Sequence, residues 1–124
     1  MIRQEQIATI IFESAEKNGL ITTLGAVFGE SFKVRLPLSK KALETSLDEI
    51  DFSVRAANSL KRAKIFSVGD VVKSIEDGSI SSIRNLGKKT KTEIVTKLLL
   101  YGYEKLNSKE KLAFFRDIVY ENIK

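Results

Sequence analysis

Apolar residues recur along this chain in two rhythms. From Gln4 to Lys17, Ile7, Ile10, Ile11, Ser14 and Ala15 return at helical spacing, and Asn18-Gly19 follows as a left-handed stop, so one amphipathic helix is predicted. Between Leu20 and Leu38 the rhythm changes. Phe32, Val34, Leu36 and Leu38 alternate with Ser31, Lys33 and Arg35, behind an apolar run punctuated by Gly25 and Gly29. That pattern predicts one or two short strands, with a hairpin turning near Gly29-Glu30-Ser31. Pro37 closes the segment and opens a linker, Ser39 to Ser46, although Lys40 to Leu47 equally suits a helical turn.

After Asp48-Glu49-Ile50-Asp51 the helical period returns. Ser53 is placed as N-cap of a helix running to about Lys64. A second helical stretch covers roughly Asp70 to Ser74, is broken by Asp77-Gly78-Ser79, and leads through a turn at Ile80 to Ile83 into Asn85-Leu86-Gly87. A longer helix is predicted from Lys88 to about Tyr101, with Ile94, Leu98 and Tyr101 on one stripe and Gly102 as its stop. The last helix, capped by Asn107 or Ser108, is expected to bury Leu112, Phe115, Ile118, Val119 and Ile123, with Leu106, Phe114 and Tyr120 thickening the stripe. The fold class is therefore mainly α.

At 124 residues the chain holds one domain, or a small domain with an appendage. It contains no cysteine and no histidine, which excludes disulfides, thiolate nucleophiles, imidazole bases and the usual zinc and haem ligands. No cofactor, metal or catalytic residue is expected. No apolar run reaches the roughly 20 residues of a membrane span, and the N-terminus lacks the basic start and apolar run of a signal peptide, so a cytoplasmic protein without a membrane partner is expected. The charge is uneven. Residues 1–52 carry six basic and eight acidic side chains, residues 53–105 eleven and five, and residues 106–124 four and three. The positive middle points to a polyanionic partner, nucleic acid first.

Two constellations lie in that middle. Arg55, Asn58, Ser59 and Arg62 share one face of the helix that Ser53 caps, while Ala56, Ala57, Leu60 and Ala63 are placed toward the core. Guanidinium and amide offer several directed hydrogen bonds to a groove, close to a helix N-terminus that favours phosphate. The second constellation is Asn85-Leu86-Gly87-Lys88-Lys89-Thr90-Lys91-Thr92-Glu93. Gly87 lets the backbone approach a ligand, and the amides of the first helical turn form an anion site to which Lys88, Lys89 and the Thr90 hydroxyl add donors. Lysines at a helix N-terminus oppose its dipole by about 0.3–1 kcal/mol each, a local conflict that suggests a ligand. The loop lacks the glycine spacing of a nucleotide-triphosphate P-loop.

The run from Leu47 through Lys61, then Ile65, Val68-Gly69-Asp70, Arg84-Asn85-Leu86-Gly87-Lys88-Lys89-Thr90 and Thr92-Glu93-Ile94, resembles the C-terminal domain of the bacterial RNA polymerase α subunit. The likeness covers about Leu47 to Tyr103. It implies a compact domain of four to five helices, with a helix-hairpin-helix-like element that binds the minor groove of A/T-rich promoter DNA. Carried over by position, Arg55 resembles the arginine inserted into the groove and Asn58 its partner. Ser59 stands at a neighbouring contact position where cysteine is frequent, Gly87, Lys89 and Thr90 resemble the family's backbone-amide, lysine and hydroxyl contacts, and Glu93 falls at a further position near the DNA. Glu49 and Asp51 resemble the acidic patch that touches sigma factor or a regulator.

Two departures accompany the likeness. One extra residue around Asp77-Gly78-Ser79 alters the regulator-facing surface, and the 46 residues before Leu47 are too few for the family's assembly domain. The expected organisation is an N-terminal extension over 1–46, a DNA-binding domain over 47–105, and a helix over 106–124 packing on the domain or on a second copy. A freestanding, non-enzymatic transcription protein, monomer or homodimer, is the resulting expectation. The rival is an adaptor or decoy that binds RNA polymerase, sigma factor or a regulator without touching DNA.

Overall fold

The computed structural model describes residues 3–29, 35–84 and 86–122. Helix α1 (Gln4–Asn18) forms where the apolar period predicts it, and Gly19 closes it at φ +94°. Ala8, Ile11 and Ala15 are its buried stripe. Ile10, expected on that stripe, is 59% exposed, because the 100° turned per residue carries it to the far side of Ala8 and Ala15.

Residues Leu20–Phe28 form a second helix, α2, where a strand was expected. Nothing in Leu-Ile-Thr-Thr-Leu-Gly-Ala-Val-Phe enforces a two-residue period. Helical winding instead places Leu20, Thr23 and Leu24 on one buried face, packed on α1, with the Thr23 and Ser14 hydroxyls 3.2 Å apart. The hairpin expected at Gly29-Glu30-Ser31, with Phe32 and Val34, falls largely outside the described residues. Arg35 to Leu38 has no regular secondary structure, and among the described residues the sole β feature is an isolated bridge between Ser46 and Ser67.

The chain divides into two compact units, Met1–Pro37 with Tyr103–Lys124, and Leu38–Gly102. In the first, the last helix, α7 (Ser108–Asn122), packs on α1. Asn107 caps it reciprocally: the Glu110 N–H donates to Asn107 Oδ1 at 2.8 Å and the Asn107 N–H donates to Glu110 Oε1 at 3.0 Å. Phe114, Phe115, Ile118 and Val119 are buried, whereas Leu112 is half-buried and Tyr120 is 62% exposed; Ile123 lies outside the described residues.

Tyr103 is wedged edge-on between Phe114 and Phe115, and among the described residues its buried hydroxyl has no hydrogen-bond partner. Burial first, and the Glu16 charge second, push its pKa up to about 12. An unsatisfied buried hydroxyl costs about 1–3 kcal/mol, so Tyr103→Phe is expected to stabilise the protein by about 1 kcal/mol at neutral pH. The pH dependence has a definite sign. From about pH 10 the unfolded tyrosine loses its proton while the folded one keeps it, so wild-type stability falls by up to about 1.4 kcal/mol per pH unit until about pH 12. Tyr103→Phe lacks that component, and guanidinium denaturation of both proteins at pH 9 and pH 11 measures the difference.

The second unit is built from short helices started by serines. In α3 (Lys40–Leu43), α4 (Val54–Arg62) and α5 (Val68–Glu76), the hydroxyls of Ser39, Ser53 and Ser67 accept the N–H three residues on, at 3.1, 3.2 and 3.1 Å. Single 3-10 turns occupy Leu47–Glu49 and Ser79–Ser82. Helix α6 (Lys88–Glu104) runs through Gly102, which was expected to stop it. That glycine is absent from the left-handed positions, so its conformational freedom goes unused. Ala56, Leu60, Val68, Val71, Ile80, Ile94 and Leu98 are fully buried together as the core of the unit. Ala63, placed in the core by its spacing, is exposed, because α4 ends at Arg62 and Lys64 turns left-handed at φ +62°.

This unit begins at Leu38, nine residues before the boundary placed at 47. Backbone bonds explain the difference. The Leu47 N–H donates to the Phe66 carbonyl at 3.0 Å and the Val68 N–H to the Thr45 carbonyl at 2.9 Å. Gly69 allows the close approach, since a β-carbon there would stand 2.9 Å from the Leu43 carbonyl oxygen.

Candidate nucleic-acid interface

The N-terminus of α4 and the start of α6 are joined by one carboxylate. Ser53 donates its backbone N–H to Glu93 Oε2 and its hydroxyl to Glu93 Oε1, both at 2.7 Å. Arg55 stands two residues after Ser53, and Lys89 one helical turn before Glu93, so the two constellations meet.

Their side chains divide by exposure. Arg55, Asn58, Gly87, Lys88 and Lys89 are exposed. Among the described residues the ion pairs join Lys61 to Asp48 and Lys111 to Glu16, and none engages Arg55, Lys88 or Lys89. Ser59, at 3% exposure, is turned toward the stripe of Ala56 and Leu60, and Thr90, at 7%, lies in line with buried Ile94 one turn on. Glu93 is half-buried, with both oxygens on Ser53.

At the start of α6 the Lys91 N–H donates to the Gly87 carbonyl at 3.0 Å. The amides of Lys88, Lys89 and Thr90 are therefore those that a helix leaves without an intrahelical partner. Gly87 does not sit in the left-handed region, and a β-carbon on it would meet nothing within 4 Å. The fold thus does not require glycine at this position; a ligand approaching the backbone would. Gly87→Ala is expected to leave the melting temperature unchanged or slightly higher, because alanine restricts the unfolded polypeptide by about 0.4–1 kcal/mol. The same variant is expected to bind duplex DNA about fivefold more weakly through lost backbone approach, read by fluorescence anisotropy.

Glu49 and Asp51 are exposed on either side of buried Ile50, and Asp48 faces Lys61 at 3.9 Å. Three features escape a reading of the sequence. Val54, beside Arg55, is 77% exposed. Glu93 is bonded across the unit. Arg62, Lys64, Lys73 and Arg84 line an open cleft of about 600 Å³ with Asp70 and Asp77. At its edge Gly78 takes φ +79°, and hydrogen bonds from Ser79, with Lys73 nearby, hold the Asp77 carboxyl below its ordinary pKa. The alternation of basic residues in sequence could have suggested the cleft; only the fold assembles it.

Among the described residues no group of three or more acidic, histidine or cysteine side chains is arranged to hold a metal ion, and no helix is long and apolar enough to cross a membrane. The family model for the C-terminal domain of the bacterial RNA polymerase alpha chain matches residues 36–99. The DNA-directed RNA polymerase subunit alpha of Syntrophomonas wolfei is 50% identical over 58 residues, 47% of this protein and 18% of that one. The subunit of the same name from Symbiobacterium thermophilum is 44% identical over 62 residues, 50% of this protein and 19% of that one. The one from Aquifex aeolicus is 40% identical over 72 residues, 58% and 22% respectively. The chain thus spans about a fifth of the length of these relatives. No solved structure matches it.

Proposed function

Because the protein belongs to the family of the C-terminal domain of the bacterial RNA polymerase α subunit, a DNA-binding and non-catalytic domain of transcription, we propose that its second unit binds A/T-rich duplex DNA in the minor groove. Arg55 enters the groove, where narrow A/T tracts concentrate negative potential, and Asn58 hydrogen-bonds beside it. The amides at the start of α6, with Lys88 and Lys89, hold the phosphates, and Gly87 keeps the backbone clear for them. Val54 packs its methyl groups on the sugar rim. Ser59 and Thr90 support the site from beneath, as their burial favours. Glu49 and Asp51 are offered to sigma factor or a regulator of RNA polymerase, and the protein acts as a monomer or homodimer.

One observation carries this reading: Ser53 and Glu93 bring the Arg55 end of α4 and the lysine turn of α6 together, with those basic side chains exposed. Titrating A/T-rich and G/C-rich duplexes by fluorescence anisotropy over a range of salt tests it. Preference for the A/T-rich duplex is expected, with log K falling against log salt at a slope of roughly −4 to −5 for about five phosphate contacts. A slope near zero, or equal affinity for both duplexes, overturns the proposal.

A further inference from the structure

Glu93 is a carboxylate in the otherwise basic first turns of α6, and a simple count of charges makes it a liability against a polyanion. Its geometry gives it other work. In an ordinary capping box, the residue three positions after the N-cap reaches back to the N-cap amide. In α4 that position is Ala56, which has no acceptor. The missing acceptor arrives from 40 residues away: Glu93 takes the Ser53 N–H and the Ser53 hydroxyl at 2.7 Å each, while Ser53 Oγ still accepts the Ala56 N–H at 3.2 Å. The carboxylate also lies at the positive end of the α4 dipole.

We infer that Glu93 is a positioning residue: it completes the α4 cap from α6, fixes Arg55 relative to Lys89, and does not touch DNA. This rests on the DNA-binding reading above and assigns within it how the two halves of the site are held in register. Removing the negative charge therefore weakens binding to a polyanion when the hydrogen bonds go with it, and does not when an acceptor remains.

Glu93→Ala, Glu93→Gln, Ser53→Ala and Arg55→Ala, singly and in pairs, are titrated with the A/T-rich duplex at fixed salt, with far-UV circular dichroism to check folding. Glu93→Ala is expected to bind about fivefold to tenfold more weakly, the scale of a lost cap. Glu93→Gln, which keeps an oxygen for the Ser53 N–H, should stay within about twofold of wild type. Arg55→Ala should cause a smaller further loss in the Glu93→Ala background than in wild type. Hydrogen exchange adds a readout without DNA: the Ser53 and Ala56 amides should exchange faster in Glu93→Ala and not in Glu93→Gln. Should Glu93→Ala fail to fold, the Ser53→Ala and Glu93→Gln arms decide alone, the first losing affinity and the second keeping it. Wild-type protein that binds neither A/T-rich nor G/C-rich duplex overturns both readings. Wild-type binding with Glu93→Ala equal or tighter overturns this inference alone.

Discussion

Arg55→Ala is expected to lose about 1–3 kcal/mol of affinity for A/T-rich duplex, roughly fivefold to 150-fold, while its melting temperature stays at the wild-type value. The two halves of that result have separate causes. Arg55 is exposed at the second position of α4, and among the described residues no ion pair holds it, so its loss breaks no ion pair of the fold. Alanine is also at least as good a helix former. Bound DNA changes the account, because a guanidinium in a narrow minor groove sits where the potential is most negative. The slope of log K against log salt should become shallower by about 0.9, one phosphate's worth, and the A/T preference should shrink with it. Arg55→Lys keeps the charge but not the planar fork, so it should recover the slope and only part of the preference. Anisotropy titrations of the three proteins on both duplexes, over a salt series, measure all of these. Arg55→Ala binding the A/T-rich duplex as tightly as wild type would remove Arg55 from the groove.

The parts of this arrangement that are local in sequence are readable there. Ser53 announces its helix because a hydroxyl reaches its own third amide, and the same holds for the reciprocal cap at Asn107 and Glu110. Exposure of Arg55 and Asn58 follows from their spacing against Ala56 and Leu60. Other parts depend on contacts that no short window contains. Residues 20–28 are apolar but for Thr22 and Thr23, whose adjacent positions give no polar period to choose helix over strand, and packing on α1 makes the choice. The start of the second unit at Leu38 rests on backbone bonds between residues 45–47 and 66–68, which no side chain in the segment signals. Thr90 and Ser59 look like contact residues by their place in a motif, yet each borders the core stripe of its helix and is turned inward. The bond from Glu93 to Ser53 spans 40 residues, so the sequence supplies both partners and no hint of their meeting.

The largest change in stability is expected at Phe115, in the first unit. Its side chain is fully buried, and its ring lies 5.3 Å from Phe114, 5.7 Å from Tyr103 and 6.2 Å from Phe12, so three aromatic neighbours on three elements meet on one residue. Truncation to alanine removes the transfer energy of the ring and leaves a cavity that these rigid neighbours fill poorly, a loss of about 3–5 kcal/mol. For a protein of this size, whose total stability is of the order of 5–15 kcal/mol, that is a large fraction. Phe115→Leu, which keeps much of the volume without the edge-to-face contacts, should lose less, and the difference between the two variants separates volume from ring geometry. Guanidinium denaturation followed by circular dichroism gives both values. A loss under about 1 kcal/mol for Phe115→Ala would mean that α1 and α7 are not held together by this cluster, and that the packing described for the first unit is wrong at its centre.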